Sequence, residues 1–154
     1  MSGGEPQIGG RYGFELTRVF EAPRERVWAG WTEPESFADW YGGAQSEVPL
    51  DSVSMDVRPG GAWRLKMFAG PGRVEIDWHG EYLEVDPPER LVFTVSDRPG
   101  DRYELVTVVF TDLGDGRTEM HLEQRGHMEP EQYERAKQGW GSFFDRIDER
   151  LASA

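Results

Sequence analysis

The chain has 154 residues, a formal net charge of −12 and 37% apolar residues. No run approaches the roughly 20 apolar residues of a helix that crosses a bilayer. Lys and Arg supply most of the affinity for nucleic acid and for anionic membrane surfaces, so the acidic excess disfavours both partners. We therefore expect a folded domain of ordinary size with no nucleic-acid partner and no membrane insertion.

The chain contains no cysteine. Disulfides, thiolate nucleophiles and thiolate metal sites are therefore excluded. Residues 1–12 are rich in glycine and polar residues and lack the apolar stretch of a secretory signal. We expect a disordered head over residues 1–12, a single domain over residues 13–154 and a cytoplasmic location.

The first elements predicted along the chain are one strand and two short helices. Apolar and polar residues alternate from Phe14 to Glu21, as is typical of a half-buried strand. Pro23 suits the start of a helix from about Arg24 to Trp31. A second short helix from about Thr32 to Tyr41 carries further aromatic residues, and Gly42-Gly43 ends it.

A series of strands follows. Alternation of apolar and polar residues predicts them at Val53–Val57, Trp63–Met67, Val74–Trp78, Leu91–Val95, Leu105–Thr111 and Thr118–Gln124. After Gly80 the alternation shifts so that Leu83 and Val85 become the apolar positions, which predicts a bulge at this glycine. Leu113 to Gly116 predicts a tight hairpin turn between the last two strands.

The last element is a long amphipathic helix from about Pro130 to Leu151, with apolar residues at steps of three and four. A series of antiparallel strands and one such helix bury their apolar faces together only if the helix lies across the sheet. The order predicts an α+β fold, in which a sheet of six or seven antiparallel strands wraps around the C-terminal helix. The two short helices then cover one end of the sheet.

Several motifs, in this order and spacing, resemble the START-like (helix-grip) proteins that are homologues of the activator of the heat-shock protein 90 ATPase. The motifs are Arg18-Val19-Phe20-Glu21-Ala22-Pro23, Trp31-Thr32-Glu33-Pro34-Glu35, Arg58-Pro59-Gly60-Gly61-Ala62-Trp63-Arg64, Gly80-Glu81-Tyr82-Leu83-Glu84-Val85 and Gly139-Trp140. The resemblance extends from about Phe14 to Leu151. It implies a helix-grip fold with a cavity between the sheet and the long helix. The superfamily includes lipid carriers, polyketide cyclases and co-chaperone domains, so the fold alone does not determine a function.

The candidate ligand-binding residues are those that alternation or helical spacing directs toward this cavity. They are Trp40, Trp63, Met67, Trp78, Phe93, Glu104, Val108, Met120, Gln124, Trp140 and Phe144. Large aromatic side chains can leave a space that accepts an apolar ligand, although plain core packing gives the same pattern. Glu104 and Gln124 share the inward positions of their strands and stand at the strand ends, near the predicted cavity mouth. The alternative is that this strand end is exposed to solvent, or that Arg102 or Arg125 forms an ion pair with Glu104.

The reactive and metal-binding side chains are not arranged in any pattern that predicts a catalytic residue, a metal site or a cofactor. Two of the three histidines, His79 and His121, fall on outward positions, and no pair has the spacing of a helical zinc site. His127 precedes the long helix and is a further candidate for the cavity mouth. Phosphate-binding glycine loops and dinucleotide fingerprints are absent from the sequence.

Three hypotheses of function remain after these exclusions. The first is binding of an apolar or aromatic small molecule in the cavity. The second is an enzyme without a cofactor, resembling a polyketide cyclase, a dehydratase or a hydrolase. The third is a co-chaperone-type interaction domain, because an acidic surface can attract a basic protein partner. An edge strand can also pair with a second copy of the chain, so a homodimer is a further alternative.

Overall fold

The computed structural model describes residues 12–43, 46–97 and 103–153. Eleven of the twelve residues of the predicted head, residues 1–11, lie outside this range, whereas Tyr12 begins the first strand. Within the described residues, no helix is both long enough and apolar enough to cross a membrane.

The described chain folds into eight strands, three α-helices and one 3₁₀ turn. In chain order they are β1 (Tyr12–Phe20), α1 (Arg24–Thr32), α2 (Pro34–Trp40), β2 (Ser46–Glu47), the 3₁₀ turn (Leu50–Ser52), β3 (Ser54–Met55), β4 (Ala62–Ala69), β5 (Val74–Asp86), β6 (Arg90–Val95), β7 (Glu104–Asp112), β8 (Thr118–Gly126) and α3 (Pro130–Ser153). All pairings between strands are antiparallel. The strand order is β1-β8-β7-β6-β5-β4-β2, and β3 pairs with β4. The predicted α+β helix-grip arrangement is confirmed, with eight strands in place of the expected six or seven.

The two short helices owe their boundaries to proline and glycine. Pro23 precedes α1, and Pro34 occupies the first position of α2, where its missing N–H is not needed. Gly42 and Gly43 follow α2 with positive φ angles of 95° and 75°, a conformation that side chains disfavour. The chain therefore leaves α2 in a tight turn that directs it back toward the sheet.

The core lies between the inner face of the sheet and the helices. Val106, Val108 and Phe110 of β7 are buried there, as the alternation of that strand predicts. Trp31 of α1 is at the centre of the aromatic packing, with its ring centroid 4.7 Å from that of Trp40 and 5.8 Å from that of Trp140. Because Trp140 belongs to α3, this ring stack joins the long helix to the first one.

The strand expected at Val53–Val57 was wrong in extent. A 3₁₀ turn precedes it, and only Ser54 and Met55 pair with β4. The backbone N–H of Asp56 donates to the carbonyl of Ala62, which closes the strand into a turn at once. The apolar alternation continues past this point, so hydropathy alone does not reveal where the pairing stops.

The bulge expected at Gly80 lies instead at Leu83. β5 pairs regularly with β4 through Gly80, and its register against β6 shifts between Tyr82 and Glu84. Tyr82 is buried, while Leu83 is 37% exposed. Glycine is needed at position 80 for another reason, since a Cβ there would collide with the carbonyl oxygen of Thr94.

Candidate functional site

A cavity of about 500 Å³ opens between the inner face of the sheet and α3. Five aromatic side chains line it, namely Tyr41, Trp78, Tyr103, Trp140 and Phe143. Polar lining residues come from the ends of β6, β7 and β8 and from the segment before α3; they include Asp97, Glu104, Gln124 and His127. The site is therefore mostly aromatic, with a polar patch concentrated at one end of the strands.

Helix α3 forms one wall of the cavity with residues at steps of three and four. These residues are Gln132, Ala136, Gly139 and Phe143, with Trp140 beside them. Gly139 is the notable position, because apart from its chain neighbours and the backbone of its own helix no atom would lie within 4 Å of a Cβ built there. The absence of a side chain at this point of the helix contributes to the open space.

The polar patch is organised around the carboxylate of Glu104, at the start of β7. Its Oε1 accepts hydrogen bonds from the hydroxyl of Tyr133 at 2.7 Å and from Nε2 of Gln124 at 3.1 Å. Its Oε2 accepts from the backbone N–H of His127 at 3.1 Å. Gly126 lies directly against this carboxylate, and a Cβ there would overlap it. The side chain of Glu104 is thus held by three neutral donors.

Gln124 connects this carboxylate to the aromatic wall. Its Oε1 accepts a hydrogen bond from Nε1 of Trp140 at 2.8 Å, while its Nε2 donates to Glu104. An indole N–H can only donate and a carboxylate can only accept, so one orientation of the amide satisfies both neighbours. The network therefore holds Trp140, Gln124, Glu104 and Tyr133 in a defined arrangement.

Burial and hydrogen bonding also determine the protonation of the tyrosines at the site. Burial raises the pKa of Tyr133, and the hydrogen bond to Glu104 raises it further. Burial raises the pKa of Tyr41 still more strongly, with a smaller contribution from the charge of Asp97. Both phenols therefore stay neutral at physiological pH, and that of Tyr133 donates its hydrogen bond to Glu104.

Trp78 contributes an indole whose Nε1 is buried with no hydrogen-bond partner. Its ring packs near Tyr41, with the two centroids 6.1 Å apart. A buried donor without a partner costs free energy. The position of this indole in the cavity wall therefore lowers the free energy of unfolding.

The buried phenol of Tyr41 predicts a loss of stability at high pH. An unfolded tyrosine ionises near pH 10, whereas the raised pKa keeps the native phenol protonated. The stabilisation is complete below about pH 10 and declines as the pH rises, by up to about 1.4 kcal/mol per pH unit for one such group. Urea unfolding between pH 8 and pH 11 should show this decline, and Tyr41→Phe should reduce its slope. Identical slopes in the two proteins would contradict the assignment to Tyr41.

The structure separates the eleven predicted site residues into three groups. Trp78, Glu104, Gln124 and Trp140 line the cavity, together with His127. Trp63 and Phe93 instead border a void of about 10 Å³, which is too small for a ligand. The remaining five are buried in the core, namely Trp40, Met67, Val108, Met120 and Phe144.

The cavity wall also contains residues that were not predicted as site residues, among them Tyr41, Tyr103, Gln132, Gly139 and Phe143. Tyr41 and Tyr103 lie just outside a helix and a strand, where no periodicity marks a direction. The spacing of Gln132, Gly139 and Phe143 places them on one face of α3, so helical periodicity could have identified these three positions.

The three histidines lie in different environments. His121 is on the outer face of β8, where Nδ1 lies 2.7 Å from the hydroxyl oxygen of Thr17 and Nε2 lies 2.9 Å from a carboxylate oxygen of Glu15. His79 is half-buried on β5, and His127 lines the cavity. Within the described ranges, no group of three or more histidine, aspartate or glutamate side chains could hold a metal ion.

A second space of about 620 Å³ is a surface groove between the short helices and the end of α3. Its guanidinium groups are engaged already, since Arg150 pairs with Asp39 at 3.0 Å and Arg146 with Asp39 at 3.6 Å. The groove is larger than the cavity, but Trp40 is the one aromatic side chain among its described lining residues, against five in the cavity. We therefore regard the smaller cavity as the candidate site.

Comparisons with known proteins agree with this architecture. A family model described as "Activator of Hsp90 ATPase homolog 1-like protein" matches residues 21–152. No curated relative matches the chain.

Solved structures from three bacteria are similar along nearly the whole chain. CV1439 from Chromobacterium violaceum is 26% identical with a TM-score of 0.78, and the match covers 90% of this chain and 96% of that one. NE0264 from Nitrosomonas europaea is 25% identical with a TM-score of 0.77, covering 92% and 94%. The AHSA1 protein SPO3351 from Silicibacter pomeroyi is 23% identical with a TM-score of 0.80, covering 92% and 98%, and shows the same fold.

Proposed function

Because the chain belongs to the family of Activator of Hsp90 ATPase homolog 1-like proteins and its sheet and long helix enclose a cavity, we propose that it binds a small molecule with an aromatic or apolar body there. The observation that carries this proposal is the combination of the cavity's size and lining. About 500 Å³ lies within the range of small-molecule pockets, roughly 300 to 1,000 Å³. Aromatic walls with few polar groups are also typical of such pockets.

The two kinds of lining residue support distinct roles in binding. The aromatic walls offer apolar area to a ligand, and each Å² removed from water contributes roughly 25 cal/mol. Glu104 and Gln124 form the polar end, and two hydrogen bonds hold them in place before a ligand arrives, one from Gln124 to Glu104 and one from Trp140 to Gln124. Affinity would thus come mainly from the rings, and orientation from the carboxylate and the amide.

Titration with N-phenyl-1-naphthylamine tests the proposal. This neutral aromatic probe becomes brighter when it leaves water for an apolar site. We expect saturable enhancement with one probe per chain. Native mass spectra of the same mixture should show the mass of a one-to-one complex, which denaturation removes. Emission that stays at the level of free probe at high protein concentration would contradict the proposal.

A second candidate function, acid–base catalysis without a cofactor, is favoured by one observation. The carboxylate of Glu104 borders the cavity, where a substrate would lie. Tyr133 donates a hydrogen bond to Glu104. Burial and this hydrogen bond raise the pKa of Tyr133, so its hydroxyl gives up its proton poorly near neutral pH. If the protein is such an enzyme, Glu104→Gln should abolish turnover of a cyclisation or dehydration substrate while N-phenyl-1-naphthylamine still binds. Full turnover by this variant would remove the candidate.

A further inference from the structure

We propose that the ligand of this cavity is a cation, an aromatic molecule that carries an amine, whose ammonium group binds the carboxylate of Glu104. This inference rests on the proposed binding function and specifies its ligand class. It is carried by the charges that line the cavity, by the partners of Glu104 and by the aromatic walls.

Among the described residues that line the cavity, the charged side chains are carboxylates. Asp97 and Glu104 line it, and no Lys or Arg is found among the described residues of the lining. A chain with a net charge of −12 adds a long-range field of the same sign. An anionic ligand would therefore enter against repulsion, whereas a cation would be attracted.

The hydrogen bonds of Glu104 leave room for one more donor. A carboxylate offers about four acceptor positions. Tyr133, Gln124 and the backbone of His127 occupy three of them, two on Oε1 and one on Oε2. All three donors are neutral, so they orient the carboxylate without neutralising it. A positively charged donor on Oε2 would complete the set and would add the attraction between opposite charges to the hydrogen bond.

The aromatic walls favour the same ligand class. Tyr41, Trp78 and Trp140 line the same cavity as Glu104. The faces of such rings attract a cation within about 6 Å, and tryptophan does so most strongly. The rings can therefore contribute to binding of the ammonium group as well as of the apolar body.

Three naphthalenes of similar size test the charge preference. They are 2-(1-naphthyl)ethylamine, which is protonated at pH 7.5, the neutral 2-(1-naphthyl)ethanol and the anionic 1-naphthylacetate. Isothermal titration calorimetry at pH 7.5 should show that the amine binds at least about tenfold more tightly than the alcohol, since its donor carries a charge opposite to that of the carboxylate and the donor of the alcohol is neutral. The acetate should bind more weakly than the alcohol.

Two variants, each lacking one carboxylate, test whether Glu104 is the source of the preference for the amine. Glu104→Gln should bring the amine and the alcohol within about threefold of each other, mainly by weakening the binding of the amine, in a protein whose circular dichroism spectrum shows that it is folded. Glu119→Gln changes the net charge equally on the outer face of β8 and should keep the wild-type ratio. If Glu104→Gln fails to fold, the order of the three ligands on the wild-type protein still decides the preference.

The outcomes separate the two proposals. An alcohol that binds as tightly as the amine to the wild-type protein would overturn the cationic ligand and leave a neutral binding site. A preference for the amine that persists in a folded Glu104→Gln variant would overturn the assignment to this carboxylate. Failure of all three naphthalenes and of N-phenyl-1-naphthylamine would overturn the cavity as a binding site, and the cationic ligand with it.

Discussion

Replacing Gly139 with leucine is expected to weaken the binding of N-phenyl-1-naphthylamine by roughly 30- to 150-fold. Gly139 lines the cavity, and nothing lies within 4 Å of a Cβ built on it. A leucine side chain would therefore enter the space that the ligand is proposed to occupy. Forcing extra groups into a filled site costs about 1 to 3 kcal/mol, and the upper part of that range corresponds to this loss of affinity.

The same substitution should not reduce the stability of the free protein. Glycine inside a helix is about 0.8 to 1 kcal/mol less favourable than alanine, and leucine is among the better helix formers. The added side chain meets open space at position 139 rather than a packed neighbour. We therefore expect an unchanged or higher free energy of unfolding in urea, together with weakened binding.

Gly141→Leu is the matched control. Gly141 lies in the same helix, a Cβ there also has open space within 4 Å, and the residue does not belong to the cavity lining. Its leucine variant should bind the probe as the wild-type protein does. Equal affinity for the probe in the Gly139→Leu and wild-type proteins would show that the probe binds elsewhere.

The order and the type of the main elements could be predicted from the sequence, because each has a strong periodic signal. The long helix was expected from about Pro130 to Leu151 and extends over Pro130–Ser153. The hairpin turn around Gly114 and Gly116 is confirmed by their positive φ angles of 89° and 85°. The shortest strands, β2 and β3, depend on pairing with β4 rather than on their own composition, so β2 was not predicted and β3 was predicted too long, as Val53–Val57.

The shift in β5 shows a limit of hydropathy patterns. Tyr82 has a polar hydroxyl but is buried, while the apolar Leu83 is 37% exposed at the bulge. A hydropathy pattern places Leu83 inside and so locates the irregularity too early, at Gly80. The glycine is required by the close approach of the backbone of Thr94, a contact between strands that neighbouring residues do not reveal.

The polar end of the cavity is the part of the site that strand alternation could anticipate. Glu104 and Gln124 were expected on the inner face at strand ends, and they hydrogen-bond to each other across β7 and β8. Alternation does not distinguish an inward aromatic ring that meets another ring from one that meets empty space. Trp63 and Trp78 have similar sequence patterns, yet the first packs around a void of about 10 Å³ and the second lines the cavity.

Trp31→Ala is expected to be among the most destabilising substitutions in this protein. The Trp31 side chain is fully buried, and its Nε1 lies 3.2 Å from the sulfur of Met120. Six aromatic rings have their centroids within 6.5 Å of its own, those of Phe37, Trp40, Phe93, Phe110, Trp140 and Phe144. Truncating such a residue costs about 3 to 5 kcal/mol, a large share of the roughly 5 to 15 kcal/mol that holds a domain folded. Urea unfolding at pH 7.5 measures this loss, and Trp31→Phe should lose less because it keeps a ring in place.

The substitution should also weaken ligand binding, because Trp31 supports a wall of the cavity. Its ring stacks on that of Trp140 at an interplanar angle of 21°, and Trp140 in turn donates its N–H to Gln124. Leu122→Ala provides a control for destabilisation alone, since Leu122 is fully buried in β8 and does not line the cavity. At a temperature where both variants remain folded, Leu122→Ala should keep the wild-type affinity for N-phenyl-1-naphthylamine and Trp31→Ala should not. Equal affinities in the two variants would mean that Trp140 is held in place by Gln124 and the sheet, and that α1 is not needed for this.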